Sequence, residues 1–143
     1  MVILNSVYLV NDIYTISRNF TDTNYALTQI IENIKTKLPY KVSENIYITK
    51  ASINGNDIYY TYRITNLKRE KLSQINISLQ NDNVLSATCN NLDSKKLIDT
   101  GYNFHYNYTN VYDEKYLSVL VNKEVCNKTN KDKEILKKLL SKS

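Results

Sequence analysis

Apolar residues change their spacing several times along these 143 residues, and each change marks an element. Over residues 2–16 they fall at 3, 4, 7, 10, 13 and 14, closer to a helical stripe than to strict alternation. Valine, isoleucine and tyrosine, common there, also suit strands. The stretch lacks the basic start and small-residue cleavage site of a complete signal peptide. Residues 21–38 are clearer. Tyr25, Leu27, Ile30, Ile31, Ile34 and Leu38 recur at helical spacing, and Thr21 or Asp22 can cap the first turn. Lys35 and Lys37 complement the dipole of the last turn, and Pro39 ends the helix.

The period then drops to two. Ile46 and Ile48 alternate with Tyr47 and Thr49; Ile58, Tyr60, Tyr62 and Ile64 alternate with Tyr59, Thr61 and Arg63. Asn54-Gly55 lies between the runs and tolerates the positive φ of a tight hairpin. Residues 67–88 return to helical spacing through Leu67, Leu72, Ile75, Leu79 and Leu85, with a break expected near 81–83. A short helix over 92–98, capped by Asn91 or Asp93, stops at Gly101. A second alternation follows: Tyr102, Phe104, Tyr106 and Tyr108, a turn within 110–115, then Leu117, Val119 and Val121.

The predicted fold class is α+β, in the order α-β-β-α-β-β. Two hairpins, 46–64 and 102–121, make one four-stranded antiparallel sheet with helices on one face. The strand order stays open. The length suits one domain, taken as 1–126. Residues 127–143 read as a basic C-terminal tail, a polar linker and then an amphipathic helix. In it Ile135, Leu136, Leu139 and Leu140 make a narrow stripe among lysines. So short a helix is marginal alone, so it must dock. Its own body is the first choice, with a partner or an anionic membrane surface, through residues 131–142, as the others. Deleting 128–143 should leave the domain folded.

Composition adds little until its cause is removed. There are 16 Lys to 3 Arg, 20 Asn, 15 Ile, 13 Tyr and only 3 Ala, the usage that AT-rich codons produce. Abundant Asn, Lys or Tyr is therefore weak support for a binding surface. The net charge of +5 resolves in the same way. Residues 127–143 hold six Lys against Asp132 and Glu134, whereas 1–126 holds 13 basic and 12 acidic residues. A nearly neutral body poor in Arg argues against nucleic acid as partner. Neither Gly55 nor Gly101 has a glycine neighbour that would make a phosphate-cradling loop. No run approaches the roughly 18 apolar residues of a membrane span. Four Asn-x-Ser/Thr sequons, at Asn19, Asn76, Asn107 and Asn127, are explained by chance in so Asn-rich a chain.

Few residues could carry chemistry. Cys89 and Cys126 match no zinc or redox spacing. Joined, they would tie the middle helical region to the end of the last strand. They would close a loop worth about 4 kcal/mol on the chain-entropy estimate and imply an oxidising compartment. The alternative is two buried free thiols in a cytosolic protein. His105, between Asn103 and Asn107, has no nucleophile in a recognisable motif beside it and reads as an exposed strand histidine rather than a general base. Tyr60, Tyr62, Tyr102, Tyr106 and Tyr108 are either core or an aromatic platform. Their parity with Phe104, Ile58 and Ile64 favours core. No metal set and no cofactor motif is present.

Leu38-Pro39, the hairpin ending in YYTY, Cys89, Leu92, Leu97, Gly101, the run YNFHYNY and Cys126 together form a layout. Over residues 24–126 it resembles a group of small bacterial exported proteins and lipoproteins. The resemblance implies a periplasmic or cell-surface location and a structural disulfide, and it transfers no catalytic residue. The chain departs from that group in its basic tail and in showing no lipobox cysteine. The expected function is accordingly that of a non-enzymatic exported protein binding another envelope or secreted protein. A cytosolic nucleic-acid protein using the Lys-rich tail is the first alternative. The second is an enzyme with a site built from residues such as Asp57, His105 or Asp113.

Overall fold

The computed structural model describes residues 23–67 and 74–142. Their order is α1 (Thr23–Lys35), β1 (Tyr40–Ser43), β2 (Ile46–Asn54), β3 (Asp57–Ile64), α2 (Gln74–Asn90), α3 (Leu92–Asp99), β4 (Asn103–Thr109), β5 (Lys115–Val121) and α4 (Lys123–Ser141). The stripe expected over 2–16 and the cap at Thr21 or Asp22 lie outside the described residues.

Helix α1 buries Leu27, Ile31 and Ile34 of the expected stripe, with Ala26 beside them; Tyr25 is exposed, and the helix stops at Lys35, before Leu38 and Pro39. The strands of both hairpins form where the period is two. In β3 every second residue, Ile58, Tyr60, Tyr62 and Ile64, is buried, and in β4 Phe104, Tyr106 and Tyr108 are. The β2–β3 hairpin turns one residue later than the Asn54-Gly55 pair suggests. Asn54 pairs with Asp57, and Gly55 and Asn56 form the loop. Gly55 has φ 60, so glycine takes the first loop position, as in a II′ turn.

The sheet corrects two expectations. It has five strands, in the order β1-β2-β3-β4-β5, and it is mixed, because β3 and β4 are parallel. The fifth strand, β1, is only four residues long, too short to show a period; Asn45, at φ 65, turns it back onto β2. The parallel pair arises because two helices, not a turn, join β3 to β4. The crossover returns the chain to the end where β3 began, and Asn103 N–H donates to the Asn56 carbonyl at 2.8 Å beside the hairpin tip.

The helical regions also depart in detail. Helix α2 runs unbroken through residues 81–83. Its buried line is Gln80, Val84, Leu85, Thr88 and Cys89, whereas Leu79 is exposed. Helix α3 is capped by Asn91, whose Oδ1 accepts from Ser94 N–H at 3.0 Å. It ends where Gly101 adopts φ 108, with Gly101 N–H donating to the Ile98 carbonyl and Tyr102 N–H to that of Leu97. Helix α4 starts directly after β5, its first turn capped by Asn122 Oδ1 accepting from Val125 N–H at 2.9 Å. No polar linker separates sheet from tail helix, and Cys126 lies inside α4 rather than at the end of a strand.

All inward strand residues join one core with α1, α2, α3 and the first turn of α4. Tyr60, Tyr62, Phe104, Tyr106 and Tyr108 fill its centre. The rings of Tyr62 and Tyr108 stack at 5.1 Å, and those of Phe104 and Tyr106 at 6.0 Å. The tyrosine platform is core.

Candidate functional site

The strand residues that alternate with this core point to the other face of the sheet, where no helix among the described residues covers them. Register arranges them in rows. Ser52, Tyr59, His105 and Leu120 form one row across β2, β3, β4 and β5. Thr61, Asn107 and Ser118 form the next, and Tyr47, Arg63 and Thr109 the one after. The β3–β4 parallel pairing therefore sets Tyr59 beside His105, and their rings stack at 4.4 Å and 18°. Leu120, exposed, stands on the other side of His105. A shallow concavity of about 240 Å³ lies here, bordered by Tyr59, His105, Asn107, Ser118 and Leu120.

Polar groups pin this row at the β3 end. Asp57 Oδ1 lies 3.0 Å from His105 Nε2 and accepts from Asn103 Nδ2 at 3.1 Å. These two partners, His105 first, hold the Asp57 carboxyl below its ordinary value. Farther along, Ser118 Oγ donates to Asn107 Oδ1 at 2.6 Å. Arg63 reaches Asp113 at 2.8 Å, a residue at φ 59 in the β4–β5 turn. So Asp57 and His105 come together and Asp113 is engaged elsewhere. His105 touches a carboxylate and an aromatic ring, while Ser118 of the same surface donates to Asn107. Among the described residues, no group of three or more His, Cys, Asp or Glu gathers as a metal would require.

Read from the sequence as an exposed strand histidine and as a site candidate with Asp57, His105 is half-buried, and of its neighbours Tyr59 and Leu120 were missed. Tyr59, Leu120 and Asp57 converge on it through strand order alone. The available signal was parity: all are out of phase with the apolar residues of their own strands.

A second feature lies across the helix layer. Cys89 of α2 and Cys126 of α4 are joined, with Cα atoms 5.6 Å apart. Beyond this tie the two helices leave between them a groove of about 460 Å³. Asp82, Leu85 and Ser86 line one wall, and Thr129, Asp132, Lys133 and Leu136 the other. From Asn130 to Lys142 every residue of the α4 region is exposed. Ile135, Leu136, Leu139 and Leu140 are 58%, 57%, 63% and 66% accessible. The expectation that these four seat on the chain's own body is therefore corrected. Helix α4 leaves the sheet at its start, and no described element lies alongside its last turns.

No protein-family model matches the sequence, and no curated protein matches it. Three solved structures share the fold. One is a Pseudomonas aeruginosa protein inferred to be secreted, with a TM-score of 0.51 and 14% identity over 71% of this chain and 94% of that one. Another is the type II secretion system pilotin AspS from Vibrio cholerae, at 0.50 and 15% over 80% and 92%. The third is the type II secretion system pilotin EpsS from Vibrio vulnificus, at 0.53 and 10% over 85% and 97%. At such identities the likeness is one of fold.

Proposed function

We propose that this chain is a non-enzymatic domain of the cell envelope, periplasmic or at the surface, that binds another protein through the outward face of its sheet. The observation that carries the reading is the row Tyr59–His105–Leu120. An aromatic and an aliphatic side chain stand exposed on a rigid sheet, ringed by Asp57, Asn103, Asn107 and Ser118. An apolar centre with a polar rim is the anatomy of a protein interface. The Cys89–Cys126 link supports an oxidising compartment. The fold shared with two pilotins and a protein inferred to be secreted points the same way.

The test compares immobilised wild-type protein with Leu120→Glu on a solubilised envelope fraction. Leu120 is exposed, so the thermal midpoint should stay within a few degrees. Proteins retained by the wild type and lost by Leu120→Glu are the expected result. Identical retention by both would remove the sheet face from the reading.

A further inference from the structure

We propose that the last three turns of α4 form a peripheral anchor for an anionic lipid surface. Helix α4 is 19 residues long, about 28 Å, and only its first turn contributes to the core. Asn122 caps that turn and the bond from Cys126 to Cys89 fixes it to α2. Beyond that turn Thr129, Asp132, Lys133 and Leu136 face α2 across the groove, and residues 130–142 are all exposed.

At 100° per residue, Ile135, Leu136, Leu139 and Leu140 cover an arc of about 140° on that helix. Asp132 lies in the same line one turn nearer the body, so the apolar arc belongs to the final turns. Lysines flank both margins: Lys131 and Lys142 on one, Lys133 and Lys137 on the other. Between residues 130 and 142 five lysines face only Asp132 and Glu134. Aliphatic side chains on one side with lysines along both borders is the pattern of a helix lying in a lipid interface. There the aliphatic groups enter the acyl boundary and the lysine stems reach back to anionic headgroups.

Charge decides among the occupants. A second copy of α4 would bring two helices of net positive charge together, which opposes pairing. A protein partner would ordinarily be met with aromatic side chains and arginine, and lysine is depleted at such interfaces. This segment has no aromatic residue and no arginine. Anionic lipid satisfies both the lysine borders and the aliphatic arc.

Vesicles of phosphatidylglycerol mixed with phosphatidylcholine, and of phosphatidylcholine alone, test this with the full chain at low and high salt. The wild type should sediment with the anionic vesicles only, and salt should weaken but not abolish the binding. Ile135→Ser with Leu139→Ser should reduce binding at least tenfold, as should Lys137→Glu with Lys142→Glu. All four positions are exposed, so both variants should keep the wild-type thermal midpoint. No binding by the wild type would overturn the proposal, as would equal binding by wild type and variants, which would move the contact elsewhere in the chain. Binding that follows the lysines but ignores Ile135 and Leu139 would also overturn it, as simple adsorption. So would a dimer in solution broken by Ile135→Ser with Leu139→Ser, because the arc would then belong to a second copy. The Leu120→Glu protein should bind vesicles as the wild type does, so failure here leaves the sheet-face reading standing, and the reverse.

Discussion

Tyr59 and Tyr60 are adjacent in the chain and opposite in environment: 37% of Tyr59 is accessible and none of Tyr60. The same division runs across the sheet. On the inward face Tyr60, Tyr62, Tyr106 and Tyr108 pack ring on ring beneath the helices. On the outward face Tyr59 stacks on a histidine in reach of water. One residue type thus serves as core filling or as exposed surface, according to strand parity. Composition says nothing about which; only the phase relative to Ile58, Ile64 and Phe104 does.

Truncation on the two faces should break the symmetry most visibly. Tyr106→Ala removes a fully buried ring between Phe104, Tyr60 and Tyr62, and should destabilise by about 3 to 5 kcal/mol. Tyr59→Ala loses one ring stack at the surface, worth about 0.5 to 1.5 kcal/mol. Urea unfolding of both variants measures the ratio. Comparable losses would mean that the outward face is covered as well.

The disulfide should sharpen the contrast. Cys89 and Cys126 both belong to the inward core, and α2 packs against β5. Replacing both by alanine reopens a 37-residue loop and should lower stability by about 2 to 4 kcal/mol. The Tyr59–His105 stack, on the far side of the sheet, should keep its histidine ring shifts in proton spectra. A count of two free thiols in the denatured, unreduced protein would withdraw the oxidising-compartment argument.

How far the sequence reaches can be seen at particular residues. Helix α1, both hairpins and the α3 stop at Gly101 were legible, because each rests on local spacing or a local backbone demand. The parallel β3–β4 pair was not, since strand direction depends on where the α2–α3 crossover delivers the chain. Strand β1 escaped for want of length. In α2 the buried line includes Gln80 and Thr88, so hydrophobic periodicity pointed to Leu79 instead, which is exposed. The outward row was half legible: His105 stood out as the single histidine, but Tyr59, Asp57 and Leu120 reach it from other strands. The α4 stripe was legible as a stripe. Its failure to seat on the body was not, because that depends on the direction in which β5 and the first turn launch the helix.

The smallest expected effects separate the faces by pH. On the inward side burial, with Tyr106 beside it, holds the Tyr60 phenol well above the ordinary 10.0. The unfolded chain ionises above that pH while the folded one resists, so stability falls as pH rises past it. Tyr60→Phe should lessen that alkaline loss. On the outward side Asp57 has the opposite shift, below 3.8, through His105 and Asn103. A depressed carboxyl stabilises the fold above the unfolded value, and that contribution fades as pH falls from 3.8 through the folded value. Asp57 is well exposed, so the contribution is small. Asp57→Asn should accordingly lower the urea midpoint slightly at neutral pH, and the two curves should converge under acid. Asn103→Ala, which removes one of the two donors, should fall between them. Curves that stay parallel across the acid range would show that Asp57 has the same proton affinity folded and unfolded, and that the His105–Asp57 contact is geometric rather than energetic.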